Sequence, residues 1–178
     1  MLTVVQWISA LQTSFSGDDM NAAFIIPFVD AAKEVFNKMV RVPLTLGKPH
    51  LKNGEQPQFA VSATIGISGT VTGIVVLGFP QQVALDVAAA LAGCPMTTID
   101  QDCVDALGEV ANMIAGSAKS RFPGGANSLS LPNVTLGSHR FSFPTGVPII
   151  LIPCDTPGGR FQIAVGFRGD QPGAADAS

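Results

Sequence analysis

The stretch 105-DALGEVANMIAG-116 decides how this chain is read. It sets an Asp, a Glu and an Asn into a segment of otherwise small and apolar residues. On a helix, Asp105 and Glu109 lie about 40° apart, and Glu109 and Asn112 about 60° apart. The three polar side chains therefore share one narrow stripe. Val104, Leu107, Ala111, Ile114 and Ala118 fall on the face expected to be buried. The same three residue types recur in the same frame as Asp30, Glu34 and Asn37, 75 positions earlier. The chain holds only three glutamates, and two of them carry this frame, which favours an internal duplication.

The patterns around the two frames agree with a repeat. A helix is predicted over 21–40, with Phe28, Ala32, Val35, Phe36 and Met39 as its apolar stripe. Pro27 either starts that helix or kinks it. Strand-like runs follow at 42–51, 58–67 and 71–79, separated by Gly and Pro. A short helix over 81–92 is closed by Gly93 and Pro95. Thr98 and Gln101 form a candidate capping box for a long helix that ends before 123-PGG-125. Three more strand runs occupy 128–138, 147–154 and 160–167. A helix followed by three strands thus occurs twice, with one extra helix between the copies. The expected fold is α/β, built of duplicated α-β-β-β units.

Bulk properties narrow the functional classes. The chain has 178 residues, 47% of them apolar, which suits one domain with a sizeable core. Its net charge of −3 supplies no basic field for nucleic acid. No apolar run is long enough to insert into a membrane; the richest, 71-VTGIVVLGF-79, reads as a buried strand. Cys94, Cys103 and Cys154 have no metal-binding spacing, and free thiols fit a cytoplasmic protein. Residues 1–19 are expected to be a flexible N-terminal extension, residues 20–168 a single domain, and 169–178 a flexible tail.

Glu109 and Asn112 present an acceptor-only carboxylate beside an amide that donates and accepts. They cannot form a metal site of useful ligand count, and no metal site is expected in the chain. No Ser/His/Asp set and no phosphate-cradling glycine loop competes with them; the glycine turns at 123–125 and 158–160 lack the necessary frame. His50 and His139 read as surface residues. A carboxylate and an amide on one stripe can reach into another protein's active site, pairing with a cation and orienting a water. Phosphoryl transfer depends mainly on such positioning and charge stabilisation.

The D-x3-E-x2-N frame within 105-DALGEVANMIAG-116 resembles the signature of the CheC/CheX/FliY chemotaxis phosphatases, most closely the CheX type. The resemblance runs from about Met20 to Arg168 and includes 24-FIIPFVDAAKEVF-36, 47-GKPHLK-52, the Gly-rich strand pair at 66–79 and 149-IILIPCDTPGGRFQIAV-165. It implies two long motif-bearing helices packed on a β-sheet. It also implies hydrolysis of the aspartyl phosphate on a CheY-like response-regulator receiver, which ends a chemotaxis or two-component signal. Glu109 would pair with the receiver's lysine, Asn112 would orient the attacking water, and Asp105 would support them. Mg²⁺ would be supplied by the receiver, with no cofactor bound by this chain. A homodimer formed through the sheets is the family expectation. Both helices are active in CheC-type members, and generally only the second in CheX-type members. This chain matches all three positions in both copies, so Asp30, Glu34 and Asn37 stand as a second candidate set. The alternative is a catalytically silent module of the same fold that docks a receiver or a flagellar or signalling partner.

Overall fold

The computed structural model describes residues 22–53, 58–123, 127–141, 143 and 147–169. The expected extension at 1–19 lies outside these residues, as does the tail beyond Gly169. The elements run α1 (Ala22–Val35, continued by a π-helical turn, Phe36–Val40), β1 (Thr45–Leu46), β2 (His50–Leu51), β3 (Phe59–Ser68), β4 (Val71–Phe79), α2 (Gln81–Ala92), α3 (Gln101–Lys119), β5 (Ser128–Leu129), β6 (Asn133–His139), β7 (Ile149–Thr156) and β8 (Gly159–Gly169).

All eight strands belong to one antiparallel sheet, in the order β1-β7-β8-β4-β3-β5, with β2 also on β7 and β6 also on β3. The duplication is visible in that order. β4 and β8, the last strands of the two units, pair at the centre with Val75 opposite Val165. The short strands that follow α1 pair with β7 of the second unit, and those that follow α3 pair with β3 of the first. Each unit therefore lends its first strands to the other.

Alternation along the central strands separates two faces. Val71, Val75, Leu77 and Phe79 of β4 join Phe161, Ile163, Val165 and Phe167 of β8 in a core that also contains the buried faces of all three helices. Phe36 and Phe79 stack on either side of Phe161, while Phe24 and Phe28 of α1 meet Phe122 and Phe167. On the opposite face Val76, Ile149, Leu151 and Ala164 form a smaller cluster, packed against Phe141, Phe143 and Val147. The helices thus lie together on one side of the sheet. Among the described residues no helix is long and apolar enough to cross a membrane.

Several local expectations need correction. The runs at 42–51 and 128–138 are each split into two short strands. Gly47 and Pro49 interrupt the first, and Pro132, which has no N–H to donate, interrupts the second. Of the two readings of Pro27, the start of the helix is excluded, since Pro27 lies inside α1. Met39 is 53% exposed, and Val40 is buried instead. The π-helical turn explains this shift, because it delays the stripe by about one residue relative to a 3.6-residue period. The cysteines each read from sequence as small buried hydrophobes, which holds for Cys103 and Cys154, whereas Cys94 is exposed.

Candidate active surface on the paired helices

α3 begins at Asp100, whose extended backbone lets its side chain accept the Cys103 N–H at 3.1 Å. Thr98 is not the cap; its hydroxyl instead donates to the Asp100 carboxylate at 3.3 Å. Leu107, Val110, Ala111, Ile114, Ala115 and Ala118 are fully buried and fix the rotation of the helix on the sheet. The same rotation turns Asp105, Glu109 and Asn112 outward, where all three are exposed.

Their partners differ. Gln101 donates to the Asp105 carboxylate at 2.7 Å and draws it back toward the first turn. That moves one negative charge away from the other at i,i+4 and leaves Glu109 projecting. Among the described residues, neither Glu109 nor Asn112 has a hydrogen-bonding or ionic partner. Gly116 extends the stripe by one more turn, and a Cβ there would meet nothing within 4 Å. Gly108, by contrast, is buried, and a Cβ on it would lie 3.7 Å from Pro132 and Val134. Of the two glycines, only Gly116 leaves the outer surface open.

The first copy has the same residue types in a different setting. Asp30 and Asn37 are exposed on α1 and its π-helical turn. Glu34 accepts from Lys38 at 2.7 Å and is also paired with Arg121, in the turn just past the end of α3. The hydrogen bond from Lys38 and that from Arg121 hold the Glu34 carboxyl below its ordinary value of 4.5. This carboxylate joins the two helices to each other. Sequence spacing gives Lys38 as an i,i+4 partner, but nothing local signals Arg121.

Other candidate groups are accounted for within the fold. His50 is exposed and contacts the Lys48 carbonyl through Nδ1. His139 departs from the surface position expected of it. It is half-buried, with Nδ1 2.6 Å from the Gly137 carbonyl and Nε2 2.9 Å from the Ser62 hydroxyl. Assigning the proton to Nδ1 lets Ser62 donate to Nε2. Ser62 is fully buried, so its hydroxyl is out of reach of a substrate. Burial raises the thiol pKa of Cys103 and of Cys154, which opposes thiolate chemistry at either. Among the described residues no three His, Cys, Asp or Glu side chains stand close enough to hold a metal ion.

Comparison with known proteins agrees with this architecture. Residues 61–155 match the family described as chemotaxis phosphatase CheX, a span that includes α3 and its stripe. The CheY-P phosphatase CheX of Thermotoga maritima is 26% identical over 98 residues, which is 54% of this chain and 63% of that protein. The match therefore spans less than two thirds of the curated relative's length. The crystal structure of a chemotaxis protein CheX from Desulfovibrio desulfuricans superposes with a TM-score of 0.74 at 32% identity, covering 82% of this chain and 99% of that one. CheX in a CheX–CheY–BeF₃–Mg²⁺ complex from Borrelia burgdorferi gives 0.73 at 27%, covering 82% and 97%. With the fold, the stripe and these matches in agreement, the chain belongs to the chemotaxis phosphatase CheX family.

Proposed function

We propose that this protein hydrolyses the aspartyl phosphate of a CheY-like receiver domain, and that Glu109 and Asn112 on α3 carry the reaction. The observation that carries this reading is the contrast between the copies. Among the described residues Glu109 and Asn112 project without partners from a capped helix, whereas Glu34 is neutralised by Lys38 and Arg121. The relatives' names support the reading, one as a CheY-P phosphatase and another as a complex with CheY, BeF₃ and Mg²⁺.

Glu109 pairs with the lysine of the receiver's phosphorylation site and fixes the depth to which α3 enters. The Asn112 amide then holds a water in line with the acyl phosphate: its carbonyl oxygen accepts one water proton, and a lone pair faces phosphorus. Attack forms the new P–O bond as the bond to the aspartyl oxygen breaks, releasing inorganic phosphate and the free carboxylate. Mg²⁺ belongs to the receiver and neutralises charge on the phosphoryl oxygens. Asp105, held by Gln101, supports the stripe without touching the phosphoryl group. We further propose a homodimer joined along the sheet, acting in the cytoplasm with the receiver. β6 supports the dimer, since among the described residues it pairs with β3 alone and exposes Leu136 beside its unpaired edge.

The test is the decay of a phosphorylated receiver with wild type, Asn112→Ala and Asn37→Ala. Asn112→Ala is expected to lower the accelerated rate by about 100-fold or more while receiver binding persists. Asn37→Ala, in a copy whose carboxylate is already neutralised, does not abolish it. A wild-type protein that binds receivers and never speeds their decay would establish the silent docking module instead.

A further inference from the structure

The two copies differ beyond Glu34. Across the offset of 75 positions, Lys33 stands where α3 has Gly108, and Arg41 stands where α3 has Gly116. Lys33, Asn37 and Arg41 follow one another at intervals of four residues. Together with Val42, Pro43 and Leu44 they line an open cleft of about 510 Å³. Lys38, by contrast, is occupied by Glu34. Among the described residues neither Lys33 nor Arg41 has an acidic partner, and the Asn37 amide is unpaired.

The backbone of this cleft is unusual. Phe36–Val40 is a π-helical turn, closed by the Arg41 N–H donating to the Phe36 carbonyl at 2.6 Å. Arg41 itself is left-handed at φ 59°, the one described non-glycine residue with positive φ. A helix commonly ends there on glycine, as α2 does at Gly93 with φ 72°. An arginine in this conformation costs on the order of 1 kcal/mol relative to glycine. Strain of this kind, together with a π-helical turn, collects where a side chain is needed for function.

From these observations we infer that the Lys33–Asn37–Arg41 cleft binds an acidic side chain on the surface of the receiver, a contact that rests on the function proposed above. A carboxylate there meets a guanidinium able to grip both oxygens, an ammonium and an amide donor. The face formed by the helices then carries charges of both signs. α3 offers Asp102, Asp105 and Glu109 to cations of the partner, and α1 offers Lys33 and Arg41 to an acid, with the exposed Asp30 one turn before Lys33. A receiver carrying one charge of each sign fits such a face in one orientation only, which aims its phosphoryl group at Asn112.

The experiment titrates a labelled BeF₃-loaded CheY-type receiver with wild type, Lys33→Glu and Arg41→Gly at low and high salt, and follows decay of the phosphorylated receiver alongside. Each substitution is expected to raise Kd about tenfold at low salt, with the gap narrowing at high salt. In the decay assay the change is expected in KM, with kcat at saturating receiver held within about twofold. Arg41→Gly places glycine at a positive φ, so its Tm is expected to hold or rise, which separates lost affinity from lost folding. A wild-type Kd for Arg41→Gly would overturn the inference, and so would a fall in kcat at unchanged KM. Wild type that binds through the cleft without speeding decay would refute the hydrolase and keep the cleft. Normal hydrolysis with unaltered affinity in both variants would do the reverse. A wild type that binds no receiver would refute both.

Discussion

Glu34 and Glu109 occupy equivalent places in the two copies, and their neighbours give them opposite roles. Lys38 and Arg121 hold the Glu34 carboxyl below 4.5. Because it titrates lower in the folded chain than in the unfolded one, its stabilising effect is fully present above the ordinary carboxylate value. That effect is lost as the pH falls through the lowered folded value. Wild type should therefore lose thermal stability on acidification below about pH 4.5 more steeply than Glu34→Gln, whose side chain does not titrate. Tm measured from neutral to acid pH for the two proteins checks this; parallel curves would mean that the clasp contributes nothing. The sequence showed both glutamates in one frame but could not show which was free. Arg121 lies 87 positions from Glu34, and only packing brings the two together.

At the level of the element, α3 presents the stripe only if its first turn is fixed. Asp100 alone caps it, so Asp100→Ala should cost about 1 kcal/mol in urea unfolding, and Thr98→Ala no more than a few tenths. A larger loss at Thr98 would reinstate the capping box that the spacing of Thr98 and Gln101 suggests. Helix phase was legible wherever the 3.6-residue period held, as Leu107, Ala111, Ile114 and Ala118 show. It failed at Met39, because nothing in 36-FNKMV-40 announces a π-helical turn. The paired strands β3, β4, β7 and β8 were legible from their apolar runs. The strand-like runs overstate the short edge strands, because Pro49 and Pro132 lie between strands rather than within them.

For the whole molecule, the proposed dimer sets one expectation. Of the edge strands among the described residues β6 is the longest, and Leu136 on it is 50% exposed. Leu136→Lys places a charge on that edge and should shift the mass measured by light scattering from dimer to monomer, with the fold retained. An unchanged mass would send the search for the interface to another face of the sheet. The duplication was legible from two octapeptide frames, and the sheet it builds was not. Strand exchange between the units is settled by contacts too distant in sequence for any local pattern to encode.

That exchange has a consequence for how the chain comes off the ribosome. The β3–β4 and β7–β8 hairpins are local and can form as soon as each is made. The strand that joins them, β8, is the last to be synthesised, yet it lies next to the middle of the finished sheet. Until Gly169 has left the exit tunnel, the nascent chain carries β4 with one long edge open and a set of aromatic side chains waiting for Phe161 and Phe167. The β4–β8 seam at the middle of the sheet therefore closes only after the last strand in chain order has been made. The two halves meet along the β4–β8 seam, whose helical side carries the core that α1 and α3 share.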